Sequence, residues 1–451
     1  MLFDRFFLGG LILGTWAFIR LFEELLPDRA LNYLPKPLAM YAVLIFVASM
    51  TFYSAWLFLV QRRKGYFKTR FENTSNQIPT LNSYPNIDIF VAAHNEEKVI
   101  ALTLDNLLSL NYPNYKIYII NDRSTDSTKD ILDKYCSQFP EKVKAFHRNN
   151  ESSCGKAAGL NFATRNTTSE LIAVFDADAR IDSDYLLKMV PYLEEENVAA
   201  VQSQKRILNA NSNYLTTLQE NEFCMDNYFQ CGRDAIGGHV ELRGNGLIIK
   251  REILKSVGYW DEQTLTDDLE LSTRLHVNGY QIRFCPETMV LEQAPMDLKN
   301  LFLQRLRWAE GSLRRYLSHL PRMFGPNKEA ALHQQFDSFV FLSQFAIPIW
   351  ISLDLIGVII RYFQDQKTHF TSIMLISFAI WLITLANLTF GLRIYRNCSW
   401  RTSFKRAIET NLYLMGFWTP VVLLTVRKVL FSRTIGKWHR TEHYTEVELK
   451  S

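Results

Sequence analysis

Two kinds of hydrophobic pattern share this chain. Long uncharged stretches lie toward its ends, and in the middle short apolar runs alternate with segments of helical spacing. Residues 38–60 carry no charge over 23 positions, and at about 1.5 Å per residue such a helix crosses a hydrocarbon core about 30 Å thick. Residues 6–19 are uncharged over 14 positions and, helped by Leu21 and Phe22, either span or lie at the interface. A cleaved signal peptide competes with that interpretation, but no small-residue cleavage site follows and Arg20 interrupts the tail. Residues 338–360 and 370–392 are two further expected spans, and Asp354 in the first should face protein or water. Residues 411–426 are also uncharged, with Pro420 inside them.

The middle of the chain has a different rhythm. Residues 87–93 (IDIFVAA) form a buried-strand run followed by polar Asn95, Glu96 and Glu97, and residues 99–110 have helical spacing. Residues 115–120 are again strand-like, and the turn from Asp122 to Asp126 caps the next helix. A third strand, 171–175, ends in Asp176-Ala177-Asp178. This alternation predicts an α/β fold on a mostly parallel, Rossmann-like sheet. Such sheets bind ligands beyond the carboxyl ends of their strands, so Asn95, Asp122 and Asp176 should gather along one edge. The expected organisation is membrane segments over 1–62, a polar linker over 63–84 and a catalytic α/β domain over 85–295. Interfacial amphipathic helices over 296–330 and C-terminal membrane segments with a basic tail over 331–451 follow.

Charge orients this arrangement. Arg62, Arg63 and Lys64 follow the second segment, which puts the middle domain on the cytoplasmic side. Arg393, Arg396, Arg401, Lys405 and Arg406 mark one later cytoplasmic loop, and the tail from Arg427 to Arg440 is basic as well. Two successive cytoplasmic segments cannot flank one crossing, so 411–430 is expected to be re-entrant or interfacial; the alternative is a third span against the charge rule. The net charge of +4 over 451 residues is too small to imply nucleic acid. The six cysteines include no CxxC pair, which argues against a zinc or redox motif and for reduced thiols.

Five constellations carry candidate chemistry. Asp176 and Asp178, two carboxylates after a hydrophobic strand, offer oxygen ligands to a hard divalent cation, Mg2+ or Mn2+; solvated loop acids are the alternative. Asp122 offers an acceptor for a uracil or ribose edge, or simply an N-cap acid. Lys156, after Gly155 and before small residues that open a helix, suits an anionic donor, although the string lacks the pattern of a P-loop. In Thr266-Asp267-Asp268-Leu269-Glu270, Asp268 is the candidate base, with Asp267 and Glu270 as alternatives and helix capping as the bland interpretation. In Gln304-Arg305-Leu306-Arg307-Trp308, Arg307 suits pyrophosphate oxygens and Trp308 a sugar face or the acceptor path. The same stretch also looks like an interfacial amphipathic helix.

The order AxNE, ND, DAD, TDD, QRLRW resembles the family-2 glycosyltransferases of GT-A fold, especially membrane synthases with a QxxRW motif. The resemblance implies a metal-dependent, inverting hexosyltransferase using a UDP-sugar. In it Asn95, Glu96, Asp122, Lys156, Asp176, Gln304, Arg307 and Trp308 form the nucleotide-sugar site, Asp178 is the metal ligand and Asp268 the base. Asn121, Asp267, Ala93 and His94 depart from the residues usual in that family. The strings Glu241-Leu242-Arg243-Gly244-Asn245-Gly246, Leu265-Thr266-Asp267-Asp268-Leu269 and Arg307-Trp308-Ala309-Glu310-Gly311 look like the cyanobacterial β-monoglucosyldiacylglycerol synthases. That likeness implies UDP-glucose as donor, diacylglycerol in the bilayer as acceptor, and a multi-pass protein of a bacterial, cyanobacterial, cell or thylakoid membrane. A processive polysaccharide synthase shares QxxRW but needs a polar channel, for which these spans offer few polar groups. An inactive transferase-fold scaffold would be expected to lose Asp178, Asp268 or Arg307, and all three are present. A Rossmann dehydrogenase is excluded because no GxGxxG follows the first strand.

Overall fold

The computed structural model describes residues 52–61, 83–149, 155–324, 332–364, 372–432 and 443–445. The expectations for residues 6–22 and 38–51, for nearly all of the 63–84 linker, for Cys154 and for the side chain of Asp354 fall outside the described residues.

Eight strands form one sheet: β1 (Ile87–Ala93), β2 (Tyr115–Asp122), β3 (Val143–Arg148), β4 (Leu171–Asp176), β5 (Arg180–Ile181), β6 (Val198–Ile207), β7 (Leu247–Lys250) and β8 (Gln281–Glu292). Their spatial order is β3-β2-β1-β4-β7-β6-β8-β5. The first four are parallel, as the strand–helix alternation predicts. The short β7 then runs antiparallel to both β4 and β6, while β6 and β8 are parallel to each other. The helices are α1 (Phe52–Gln61), α2 (Ile100–Leu108), α3 (Thr128–Gln138), α4 (Lys156–Arg165), α5 (Tyr185–Met189) and α6 (Tyr214–Ile236). There follow α7 (Arg251–Ser256), α8 (Asp267–Val277), α9 (Leu298–Phe324), α10 (Leu332–Phe363), α11 (Ser372–Tyr395) and α12 (Trp400–Phe431).

The continuous apolar character of β1 follows from burial on both faces. Ile87, Ile89 and Val91 meet Ile100, Leu104 and Leu132 of α2 and α3 on one side. Phe90, Ile172 and Val174 meet Leu160, Leu271 and Leu275 of α4 and α8 on the other. Asp88, out of place in such a strand, is held by Arg251 at 2.6 Å and by Ser169 Oγ at 2.7 Å.

Of the stretch expected to form interfacial helices, residues 298–324 form one helix, α9. Its Leu313, Tyr316 and Leu317 pack on Phe345 and Ile349 of α10 and on Val422 and Val426 of α12. Arg305 and Arg315, which would be solvated on a purely interfacial helix, are buried in ion pairs. Among the described residues, 378–395 and 400–431 are long and apolar enough to cross a membrane. The second corrects one of the two forms expected for 411–430: the stretch lies within one unbroken helix, α12, and forms no re-entrant turn. A single proline did not break it because α9, α10, α11 and α6 all pack along its length.

One ionic knot joins the sheet domain to these helices. Glu241 accepts from Arg315 of α9, from Arg243 at 2.8 Å and from Arg233 of α6 at 3.4 Å. Arg233 also donates to Asp337 of α10 at 3.0 Å, and Asp337 in turn accepts from Tyr53 of α1. Burial alone would raise the Glu241 carboxyl, but Arg315, Arg243 and Arg233 hold it well below the usual carboxylate range. A depressed folded-state value stabilises the fold above the unfolded value of about 4.3 and is lost as pH falls through the folded one. Glu241→Gln is therefore expected to cost about 3–5 kcal/mol at pH 7. In thermal unfolding of the detergent-solubilised protein, its deficit against wild type should begin to shrink only below about pH 4.3.

Candidate active site

The candidate residues collect at the carboxyl edge of β1, β2 and β4. Asp122, the last residue of β2, accepts two bonds from Arg123 at 2.9 and 2.8 Å, one from Arg148 at 3.2 Å and one from Gly155 N at 3.1 Å. A carboxylate accepts about four hydrogen bonds, so a uracil or ribose edge at Asp122 has to replace one of these donors. Asn95 is placed differently from the expectation that it binds nucleotide. It adopts a left-handed φ of 59°, its Oδ1 takes Thr125 N at 2.7 Å, and it stitches the β1 and β2 loops together rather than lining the cavity. Glu96 does line it.

Lys156 opens α4 and turns into the site. Its Nζ donates to Asp176 Oδ1 at 2.5 Å and to the Gly244 carbonyl at 2.7 Å. Burial opposes the ammonium charge, but Asp176, Asp267 and Asp268 more than offset it and raise Lys156 above its ordinary value. In return, and against the effect of burial, Lys156 and Lys205 lower Asp176. Asp178 is more deeply buried. Its Oδ2 accepts Gln293 N at 2.6 Å, and burial raises its carboxyl although His443 pulls it down. Burial likewise raises Glu292, which pairs with Lys205 at 2.7 Å.

Asp267 and Asp268 begin α8, where helix-end N–H groups favour carboxylates. Burial and the neighbouring Asp268 push the Asp267 carboxyl up to about 6. Gly244, at φ 71°, admits Asp268: a Cβ there would lie 2.9 Å from Asp268 Oδ2. Arg307 comes from α9. Burial lowers it, against the attraction of Asp268, Asp176 and Asp267 around it. Gln304 and Trp308 face the same cavity. Between them Arg305 points away: it donates to Gln304 Oε1 at 2.6 Å, stacks 4.2 Å from the Trp308 ring and pairs with Glu222 at 3.1 Å.

A single cavity of about 1050 Å³ holds these groups. Its charged end is lined by Asp122, Lys156, Asp176, Asp178, Asp267, Asp268, Arg307 and Trp308. Its other end runs between the C-terminal helices, past Phe341, Phe345, Trp381, Leu414, Trp418 and Val422.

Residues 85–311 match the family described as Glycosyltransferase like family 2. The β-monoglucosyldiacylglycerol synthase of Trichormus variabilis is 35% identical over 370 residues, 80% of this chain and 77% of that one. The chain belongs to the family-2 glycosyltransferases. The poly-β-1,6-N-acetyl-D-glucosamine synthase of Staphylococcus epidermidis is 31% identical over 227 residues, 50% of this chain and 54% of that one. A mannosyltransferase of Pyrobaculum calidifontis, solved in complex with GDP-Man and Mn2+, superposes with a TM-score of 0.57 at 18% identity, over 88% of this chain and 100% of that one. The fold of this family-2 glycosyltransferase is accordingly GT-A-like.

The structure adds cavity-lining residues that the sequence did not single out: Lys205, Glu222, Asp226, Glu292 and His443. A signal for Lys205 was present, since Gln202, Ser203, Gln204 and Lys205 are four consecutive polar residues inside a buried strand. His443 had no local signal, because it arrives from a basic tail 150 residues beyond Gln293.

Two outcomes are expected of this geometry. A Cβ on Gly311 of α9 would lie 2.5 Å from Thr266 Cγ2 and Oγ1, directly before Asp267. Gly311→Ala should push Arg307 away from the carboxylates and lower turnover, at an overpacking cost of about 1–3 kcal/mol; adding Thr266→Ala should recover much of both in steady-state kinetics and thermal unfolding. The acid limb of the turnover–pH profile should fall near pH 6, where Asp267 takes up a proton. Asp267→Asn removes the like charge and should move that limb to lower pH. Complete loss of activity in Asp267→Asn would instead make Asp267 the base.

Proposed function

We propose that this protein transfers glucose from UDP-glucose to 1,2-diacylglycerol with inversion, producing β-monoglucosyldiacylglycerol at the cytoplasmic face of a bacterial, cyanobacterial, membrane. The observation that carries the reading is the continuity of one cavity from Lys156, Asp268 and Arg307 to an apolar end between the C-terminal helices. A lipid can lie there with its tails among aromatic and aliphatic side chains and one hydroxyl at the charged end. The coverage by a relative named for this activity supports the same reading.

Asp178 fits a divalent cation, Mg2+ or Mn2+: it is a hard oxygen donor, buried, with one Oδ2 bond to a backbone N–H and an imidazole nitrogen facing it. When bound, the cation would neutralise charge on the diphosphate and act as a Lewis acid toward it. The chain's own residues do the rest. Lys156 and Arg307 bring two fixed positive charges to the diphosphate. Trp308 offers a ring face to the sugar. Asp268 takes the proton of the acceptor hydroxyl as its oxygen bonds to the anomeric carbon. The bond from that carbon to the diphosphate breaks, and UDP leaves with the electron pair. One displacement turns an α-linked donor into a β-linked product.

A processive polysaccharide synthase is the second reading. The poly-N-acetylglucosamine synthase relative favours it over half of this chain, whereas the apolar far end of the cavity favours lipid. A product assay separates them: purified protein in detergent receives radiolabelled UDP-glucose, Mg2+ and diacylglycerol, followed by lipid extraction and polymer precipitation. Label is expected in a β-glucosyl lipid that forms only with diacylglycerol; label in a precipitable polymer, independent of diacylglycerol, overturns the lipid reading. In the same assay Asp268→Asn should cut turnover about 100-fold or more while leaving UDP binding nearly intact. Near-normal turnover would remove Asp268 from the mechanism.

A further inference from the structure

Strand β6 turns polar where it reaches the site, with Gln202, Ser203, Gln204 and Lys205 in succession inside a buried element. Its pairing with β8 shifts register between Ser203 and Gln204, and such an irregularity re-aims the side chains beyond it. One side chain of α6 holds both backbone polar groups of Lys205. Lys205 N donates to Asn227 Oδ1 at 3.2 Å, and Asn227 Nδ2 donates to Lys205 O at 2.9 Å. The ammonium is thereby delivered into the cavity, where Nζ lies 2.7 Å from Glu292 Oε2 and 3.3 Å from the Arg243 carbonyl. Two aromatic faces border it, with ring centroids 5.6 Å away for Phe223 and 5.7 Å away for Trp308. Glu292, the last residue of β8, is tied in turn to the donor edge. Asn245 Nδ2 donates to Glu292 Oε2 at 3.1 Å, while Asn245 Oδ1 accepts Asp176 N at 3.1 Å.

We infer that Lys205 and Glu292 bind two neighbouring hydroxyl groups of the transferred hexose, the ammonium donating and the carboxyl accepting, and so select which hexose is transferred. The inference rests on the donor reading above, in which Trp308 offers the sugar a ring face. An ammonium has three hydrogens, and among the described residues Lys205 Nζ spends two, on Glu292 and on the Arg243 carbonyl. Both contacts of Glu292 fall on Oε2, so Oε1 keeps its accepting capacity for the cavity that the side chain lines. A donor and an acceptor therefore stand side by side next to the Trp308 ring. A diphosphate gains little from such a pair, because Glu292 repels what Lys205 attracts. A lipid chain gains nothing from it. A hydroxyl group gains from both, because it donates and accepts at once. A hexose lying on the Trp308 face carries adjacent hydroxyls of fixed orientation past the pair. An epimer that turns one of them away leaves a buried polar group without its partner, which costs more than the bond adds when it is made. Selection of this kind requires that the ammonium not follow the displaced hydroxyl, and the grip of Asn227 on the Lys205 backbone meets that requirement.

The test is a cycle between protein and donor, read as UDP release by the full-length protein in detergent with Mg2+ and diacylglycerol. UDP release is recorded whether the sugar goes to lipid or to polymer, so the diacylglycerol reading can fail without obscuring this one. The donors are UDP-glucose, the analogues that each lack one sugar hydroxyl, and UDP-galactose as an epimer. In wild type, loss of a contacted hydroxyl is expected to lower kcat/KM about 10–100-fold. In Lys205→Met the parent donor should fall by a similar factor, and the deoxy analogue that wild type penalises should then cost little more. The preference for UDP-glucose over UDP-galactose should shrink with it. The double variant Lys205→Met/Glu292→Leu removes the buried pair together, leaves no charge without its partner, and should lose the penalties for both hydroxyls. The inhibition constant of UDP should stay nearly unchanged in both variants, which also reports that they are folded. Deoxy penalties and epimer preference that stay at wild-type size in both variants overturn the inference. So does a loss of UDP affinity as large as the loss in kcat/KM, in a variant whose thermal unfolding matches wild type, because it would place Lys205 on the diphosphate instead.

Discussion

A buried carboxylate at the meeting point of three guanidinium groups holds this molecule together. Glu241 belongs to the sheet domain, whereas Arg315 belongs to the helix that carries Arg307 and Trp308. Arg233 passes the connection to Asp337 on the first C-terminal helix. Each of these charges is costly to bury singly, and each is tolerable because the others are fixed in hydrogen-bonding geometry. The position of Arg307 against Asp267 and Asp268 is thus set two helical turns away, at Arg315, whose Nη1 also donates to the Leu269 carbonyl at 2.8 Å. The sheet domain and the helix bundle are halves of one site, and the cavity exists only in their assembly.

The same logic, with the opposite imbalance, governs the catalytic edge. Asp176, Asp178, Asp267, Asp268, Glu96 and Glu292 all approach one cavity, where Lys156 pairs with Asp176, Lys205 pairs with Glu292, and Arg307 is drawn to Asp268, Asp176 and Asp267. The result is a divided set of carboxyls. Asp176 is drawn below its ordinary value by Lys156, while Asp178, Glu292 and Asp267 are driven up by burial. Carboxylates driven apart in this way suit different tasks: one to sit ionised beside a lysine, another to accept a proton near neutral pH. The excess of negative charge is what a divalent cation and cationic side chains around a diphosphate are suited to meet.

How the site divides its work also follows from where the cavity leads. Its charged end lies at the strand ends of a sheet whose core is closed on both faces. Its apolar end lies between α10, α11 and α12, where Trp381, Leu414 and Trp418 leave space in place of the packing seen elsewhere in the bundle. Glu222 of α6 lines the same cavity and ties α6 to α9 and α12, accepting Trp418 Nε1 at 3.1 Å and Arg305 at 3.1 Å.

Local pattern sufficed for much of this protein. Strands 87–93, 115–120 and 171–175, their parallel order, and the placing of Asp122 and Asp176 at one edge follow from runs of buried apolar residues and from chain direction, which both act over a few residues. Asp267, Asp268, Gln304, Arg307 and Trp308 were legible as types in a recognisable order. What tertiary structure alone decided depends on partners distant in sequence. The antiparallel β7 is set by its neighbours β4 and β6. Asn95 is spent on Thr125 rather than on the cavity. The helix through 411–430 stays unbroken because packing on four other helices outweighs Pro420 and the charge pattern beside it. Lys205, Glu292 and above all His443 enter the site by contacts spanning tens to hundreds of residues, and no periodicity encodes a contact of that range.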